Sequence, residues 1–204
     1  MTTHYTTSGI ILRSEDRGEA DRVFTVFTKD YGKLLLWAIA ERKITSKLRG
    51  GLELFSLSSL EFIQGKNRKV LVEAVTVKPY LSIRKDVASL YVTHRIADLV
   101  DFLSKGEEAD QQIWSLLEET LDSLDTMNAP YTPLYYYFLF NAVEVLGYQP
   151  SPEHCEECSN RFANMLQYVY PLTKDKNQFE KAQWKGEDTK LLSDISRHYL
   201  TQFV

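Results

Sequence analysis

The stretch RVFTVFTKDYGKLLLWAIA, residues 22–40, decides the fold of the N-terminal part of the chain. It contains two runs rich in apolar residues, separated by Asp30-Tyr31-Gly32, a combination typical of a β-hairpin. Three similar runs flank it, and no long helical pattern separates them. We therefore predict five strands, at residues 5–13, 22–28, 33–40, 54–64 and 69–77.

Five short strands at this spacing indicate a closed barrel of the OB type. Gly9 lies inside the first run, where a glycine often marks a bend or a bulge. In the fourth run the apolar positions change parity, which a one-residue insertion around Ser58-Ser59 would explain. Both features favour a strongly curled sheet.

From residue 80 onward the apolar residues recur at three- and four-residue steps, as amphipathic helices require. Helices are predicted at residues 82–104, 111–127, from Thr132-Pro133 to a stop at Gly147, and 188–203. The apolar face of the first is formed by Ile83, Val87, Leu90, Tyr91, Ala97 and Val100. The predicted fold class is α+β, mainly β in its N-terminal part and all-α in its C-terminal part. We place the domains at residues 1–80 and 81–204, with a cysteine-bearing insert at about 150–185.

The charge is unevenly distributed along the chain. Residues 1–80 carry 13 basic and 9 acidic side chains, a net charge of +4, whereas residues 81–150 carry 4 and 11, a net charge of −7. This asymmetry indicates two parts with different partners. No run of about 18 apolar residues and no secretory leader pattern occur, so we expect a cytoplasmic protein without a membrane partner.

The segment Glu41–Gly50, called the basic loop below, holds four cations within eight residues: Arg42, Lys43, Lys47 and Arg49. Cations neutralise phosphates and release counterions, while neighbouring hydroxyls orient phosphate oxygens, so the loop predicts contact with nucleic acid. More cations lie near other strand connections: Arg13, Arg17 and Arg22, and Lys66, Arg68 and Lys69. For each of them, a solvated surface charge is the alternative interpretation.

Aromatic residues alternate with these charges: Phe24, Phe27, Tyr31, Trp37, Phe55 and Phe62. OB-type barrels bind single strands by stacking bases on exposed aromatic rings. Strand alternation sends half of such side chains into the core, so we expect core packing for most of them. Tyr31, at a turn, is the expected exposed platform.

Cys155 and Cys158 are the only cysteines, and their spacing is that of half a zinc site. Two thiolates do not complete a tetrahedral shell, and His154 is the only nearby nitrogen ligand. We therefore expect no cofactor, with bound zinc and a reduced thiol pair as the open alternatives. No catalytic motif is present, so the sequence does not predict an enzyme.

Several motifs, in order along the chain, resemble the RecO family. They are Tyr5–Arg13, Gly18–Arg22 leading into Phe24–Thr28, Tyr31-Gly32-Lys33, Ser46–Gly50 with Leu54-Phe55, and Leu146–Pro150. The resemblance implies a non-enzymatic mediator of recombinational DNA repair after DNA damage, associated with the nucleoid. It implies binding and annealing of single-stranded DNA, action with RecR, and help in loading RecA past single-stranded-DNA-binding protein. It also implies a zinc-like insert, degenerate here because the family's second Cys-x-x-Cys is absent.

By motif position the resemblance makes Arg42, Lys43, Lys47 and Arg49 the main DNA contacts, with Arg17 and Arg22 secondary. It also implies a site for the acidic, Phe-ending tail of single-stranded-DNA-binding protein, with Arg84, Lys85 and Arg95 as the rim candidates. The alternative is a protein-only adaptor that assembles repair factors without touching DNA, which the overall pI of about 5.6 favours. A nuclease with carboxylate-bound metal comes third, because the helix carboxylates are spaced as solvated faces.

Overall fold

The computed structural model describes residues 3–104, 106–126 and 131–147, together with residues 182, 190, 192 and 193. The chain divides into two compact units, residues 1–125 and 126–204. The first unit contains five strands followed by two α-helices, and the described part of the second contains the helix Tyr131–Val145. The predicted α+β class, a five-stranded barrel followed by helices, is confirmed.

The strands are β1 (His4–Arg17), β2 (Asp21–Thr28), β3 (Gly32–Ala38), β4 (Leu57–Gln64) and β5 (Lys69–Lys78). They close into a barrel in the order β1-β2-β3-β5-β4, and all neighbours are antiparallel except β3 and β5. All five strands lie where the sequence predicts them. β4 begins three residues later than predicted, after Phe55, whose φ of 61° interrupts the extended backbone.

Inward-facing apolar side chains from all five strands fill the barrel, together with Leu48 and Leu52 from the β3–β4 connection. Gly9 faces this interior, where a Cβ atom would lie 2.6 Å from Val26 Cγ1 and 2.7 Å from Leu60 Cδ1. Gly9 therefore makes room for its neighbours. The bulge in β1 lies at Leu12, which the pairing with β2 skips.

The insertion that the parity change predicted in β4 is not found there. β4 keeps an unbroken register with β1, so it contains no insertion at Ser58-Ser59. The irregularities in its pairing with β5 skip Val72 and Val77, so the extra residues belong to β5. The predicted bulge was therefore assigned to the wrong strand, although it curls the sheet as expected.

The helices α1 (Val87–Leu103) and α2 (Gln111–Thr126) belong to the same compact unit as the barrel. The Trp114 ring of α2 stacks on Phe27 of β2, with 6.2 Å between the ring centroids. The predicted apolar stripe of α2 is confirmed, since Trp114, Leu117, Leu121 and Leu124 are all buried. The outer surface of the barrel is therefore covered by α2 at the Phe27 end of β2.

The buried face of α1 agrees only in part with the predicted one. Ala97 and Val100 are buried as predicted, whereas Val87 and Tyr91 are 84% and 63% exposed. Val92 and Ile96, which the predicted stripe did not include, are buried instead. The helix begins at Asp86, whose carboxylate accepts a hydrogen bond from the Ser89 amide at 2.7 Å.

The β2–β3 hairpin is attached closely to the α1–α2 segment. Gly32 has a φ of +62°, and a Cβ atom there would lie 2.3 Å from the carbonyl oxygen of Glu108. Next to it, Lys33 Nζ donates to the Asp101 carbonyl at 2.6 Å and to the Asp101 carboxylate at 2.9 Å. Glycine is therefore required at position 32 both by its backbone conformation and by the space available.

The second unit contains α3 (Tyr131–Val145), on which the predicted run Tyr135–Phe138 is buried. Gly147, with φ +87°, follows its end, as predicted. None of the described helices is long and apolar enough to cross a membrane. The predictions for Cys155, Cys158, the insert and the helix at 188–203 lie outside the described residues, apart from the four isolated positions.

Candidate nucleic-acid interface

The basic loop begins against the β1–β2 connection. The Arg42 amide donates to the Ala20 carbonyl at 3.0 Å, and Arg42 Nη1 donates to the Gly18 carbonyl at 3.3 Å. Immediately before it, the Ala40 amide donates to the Asp21 carboxylate at 2.8 Å. The start of the loop is therefore tied by backbone contacts to the end of the barrel where β1 turns into β2.

The other end of the basic loop packs on β5. A short 3-10 turn, Arg49–Gly51, lies against this strand, and Thr76 Oγ1 donates to the Gly50 carbonyl at 2.8 Å. A Cβ atom on Gly51 would lie 2.2 Å from the Ala74 carbonyl oxygen, so only glycine permits this approach. With Leu48 buried in the barrel, the loop is held at both ends and in between.

Three cations of the basic loop, Lys43, Lys47 and Arg49, are exposed. None of the three forms an ion pair with any residue in the described part of the chain. Their charge is therefore not compensated locally by a carboxylate there. Exposed, uncompensated cations on an anchored backbone are suited to neutralising phosphates.

The fourth cation of the loop, Arg42, shares a carboxylate with Arg22. Asp16 Oδ1 accepts from Arg22 Nε at 2.7 Å, and Asp16 Oδ2 lies 3.4 Å from Arg42 Nη1. The hydrogen bond from Arg22 lowers the pKa of Asp16, and the charges of Arg42 and Arg22 add to this effect. Arg22 Nη1 also lies 3.3 Å from the buried Glu41 carboxylate. The charges of Arg22 and Arg42 are thus already partly compensated.

The remaining cations predicted to contact DNA fall into two groups: some form ion pairs within the protein, and others do not pair with a described carboxylate. Arg13 pairs with Asp98 of α1 at 2.8 Å, Lys69 pairs with Glu107, and Arg17 pairs with Glu15 at 2.8 Å. Arg13 and Lys69 therefore link the barrel to the helical segment. Lys66 is exposed with no ion pair among the described residues, and the Arg68 guanidinium lies over the Trp37 ring, 4.5 Å from its centroid.

The strand register brings several of these residues to one end of the barrel. Arg22 pairs with Ala38, and Trp37 pairs in parallel with Val70. The β1–β2 connection and the start of the basic loop therefore lie around the end of β3. The β4–β5 hairpin precedes Lys69, on the side of the start of β3, and reaches Trp37 through Arg68. The β2–β3 hairpin, which carries Lys29, lies at the opposite end.

Tyr31, predicted to be an exposed aromatic platform, is not exposed. Tyr31 is partly buried, and its ring packs edge-on against Tyr5 and Phe62, at centroid distances of 6.0 and 5.6 Å. Trp37, grouped in the sequence with residues expected mostly in the core, lies on the outer face of β3. Its neighbours Leu34, Leu36 and Ala38 point inward, so the alternation in β3 was the signal that could have identified Trp37.

The three residues predicted to form a protein-partner site, Arg84, Lys85 and Arg95, differ in their contacts and their exposure. Arg84 pairs with Glu53 and donates to the Leu54 carbonyl at 2.8 Å, and burial lowers the pKa of its guanidinium. Lys85 is exposed, and Arg95 is partly buried. Arg84 is thus engaged with the β3–β4 connection. In the described part of the chain no group of three or more His, Cys, Asp or Glu side chains could hold a metal ion.

The barrel, its exposed basic loop and the helices that follow define an OB-type protein with a helical C-terminal part. Two family models match in succession: "Recombination protein O N terminal" over residues 1–80 and "Recombination protein O C terminal" over residues 84–171. The chain belongs to the RecO family.

Relatives named "DNA repair protein RecO" match most of the chain. The protein of Dehalococcoides mccartyi is 31% identical over 82% of this chain and 66% of its own length. The proteins of Gloeothece citriformis and Roseiflexus sp. are each 31% identical, over 76% and 83% of this chain and 56% and 59% of their own lengths. The chain spans less than two thirds of the length of each of these relatives.

Proposed function

We propose that this protein is a non-catalytic mediator of DNA repair and recombination that binds single-stranded DNA through the basic loop. The observation that carries the proposal is a group of exposed cations, Lys43, Lys47 and Arg49, which form no ion pair with the described residues and lie on a backbone anchored at both ends. Because the loop is anchored, these cations are presented without a large ordering cost when DNA binds. The repair context comes from the names of the relatives.

Strand annealing follows from the same charges. Two complementary single strands repel each other through their phosphates, and a surface that holds both lowers this repulsion. Base pairing then becomes the favourable step, and the duplex forms without any bond being made or broken by the protein. The function needs no catalytic residue.

The partners belong to the same proposal. The segment 81–150, with a net charge of −7, repels DNA and is better suited to protein contacts. We assign to the protein an action with RecR, the loading of RecA on strands covered by single-stranded-DNA-binding protein, and a location at the nucleoid. Arg84, Lys85 and Arg95 are the candidates for receiving the acidic tail of single-stranded-DNA-binding protein, and Lys85 is the exposed one. Arg84 would first have to leave Glu53.

The test is the salt dependence of binding to a fluorescently labelled oligonucleotide. If four to six phosphates are neutralised, log affinity falls with log salt at a slope of about −3 to −4 for single strands. The double variant Lys43→Ala/Lys47→Ala removes two phosphate contacts, so the slope becomes shallower by about 1.4. The matched control is Lys29→Ala/Lys85→Ala, which removes the same charge from exposed positions outside the basic loop.

Equal effects of the two double variants would assign binding to net charge rather than to the basic loop. A salt-independent affinity would remove the electrostatic basis altogether. Absence of binding even at low salt would favour the protein-only adaptor. An annealing assay with complementary strands, with and without single-stranded-DNA-binding protein, then separates DNA binding from mediation.

A further inference from the structure

The outer face of β3 carries an apolar strip that the basic loop does not explain. Leu35 is 59% exposed and Ile39, just past the strand end, is 48% exposed, with the half-buried Trp37 between them. Single exposed apolar side chains are common on protein surfaces. Here, however, three consecutive outward positions along one line are apolar, and the central one is the largest side chain available.

A cation covers the centre of this strip. The guanidinium of Arg68 lies 4.5 Å from the Trp37 ring centroid. The basic loop begins three residues beyond Ala38. An aromatic ring bordered by a cation complements a ligand with a flat apolar part and a phosphate close to it. An unpaired nucleotide has both.

We propose that Trp37 is a stacking site for an unpaired base of bound DNA, and that Arg68 moves from the ring to a phosphate when the base arrives. The proposal rests on the proposed function and deepens it, because it names the base, and not only the backbone, as a ligand. It gives the protein a physical reason to prefer single strands, since the bases of a duplex are already stacked on each other and are not free to stack on a side chain.

Replacing Arg68 by a base on the Trp37 ring is energetically favourable. An exposed contact between a guanidinium and an aromatic ring contributes about a two- to fivefold factor in an equilibrium constant. Stacking of a base on an aromatic side chain contributes about a 5- to 150-fold factor. The base therefore replaces Arg68 on Trp37, and the released guanidinium gains a phosphate contact.

The experiment compares an oligothymidylate with an abasic oligonucleotide of the same length, which has the same phosphates and no bases. The wild-type protein binds the oligothymidylate more tightly, and Trp37→Ala lowers this preference by about 5- to 150-fold while keeping its affinity for the abasic strand. Trp37→Phe keeps part of the preference. Val75→Ala, an exposed apolar position on β5 outside the strip, is the control and keeps the preference.

Tryptophan fluorescence supplies a second readout that does not require the alanine variant to fold. Oligothymidylate quenches wild-type emission, and the quenching that Trp37→Phe loses is the contribution of Trp37, because Trp114 and Trp184 are present in both proteins. The stacking site is overturned if Trp37→Ala keeps the full preference for bases, or if Trp37→Phe shows undiminished quenching. Failure of the proposed function looks different, because the wild-type protein then binds neither oligonucleotide.

Discussion

The substitution Gly51→Ala tests whether the basic loop is held against β5 by direct backbone contact. A Cβ atom at this position would lie 2.2 Å from the Ala74 carbonyl oxygen and 2.3 Å from its carbon, whereas real Cβ contacts almost never fall below 3.0 Å. The loop and β5 must therefore separate by about 0.8 Å. The opposing atoms belong to the backbone of a paired strand and cannot turn away as a side chain would.

Overpacking of this kind costs about 1–3 kcal/mol, and we expect the upper half of that range because backbone must move. The measurement is the free energy of unfolding in urea. Gly50→Ala is the matched control, because nothing lies within 4 Å of a Cβ there. The control should be as stable as the wild type or slightly more stable, since alanine restricts the unfolded chain. If Gly51→Ala unfolds with the same free energy as Gly50→Ala, the contact with Ala74 does not constrain the loop.

Three further predictions concern other parts of the molecule. Asp16→Asn frees Arg22 and Arg42 from a competing carboxylate, so oligonucleotide binding should strengthen and its salt slope should steepen by up to about 0.7, whereas an unchanged slope would argue against competition. Burial, and then the Asp122 carboxylate, raise the pKa of Tyr80 well above its ordinary value. A pKa that is higher in the folded than in the unfolded protein stabilises the fold, and this stabilisation is lost as the pH rises past the unfolded value. Wild-type unfolding free energy should therefore fall by about 1 kcal/mol from pH 10 to 11 beyond any fall in Tyr80→Phe, and parallel pH profiles would contradict this. Trp114→Ala should cost about 3–5 kcal/mol of unfolding free energy and Trp114→Phe clearly less, because the ring is buried on Phe27. Similar losses for the two variants would mean that an aromatic ring at position 114 does not restore the packing on Phe27.

The alternation of apolar side chains predicted the barrel because each strand has one face in the interior. Leu34, Leu36 and Ala38 of β3 show this directly, since all three lie in the core and the residues between them do not. The stop at Gly147 was predictable for a different, local reason, because the left-handed backbone after a helix favours glycine. Features set by short-range chemistry could therefore be predicted from the sequence.

Features that depend on contacts between residues distant in the sequence could not be predicted in this way. The parity change in β4 signalled an irregular pairing, but it did not show that the extra residues, Val72 and Val77, lie in β5. Tyr31 was predicted to be exposed because it sits at a turn, yet its ring packs against residues from β1 and β4. Counting cations in the sequence likewise gave no sign that Arg22 and Arg42 share Asp16.

The short pairing between β3 and β5 limits which sequence changes the basic loop can accept. Only Leu36–Lys69 and Trp37–Val70 pair directly, and farther along β5 the 3-10 turn Arg49–Gly51 covers the strand. The segment that offers cations to a ligand is therefore also a piece of the barrel wall. Insertions or deletions within it would breach that wall, so new ligand preferences have to arise by exchanging outward side chains at a fixed loop length.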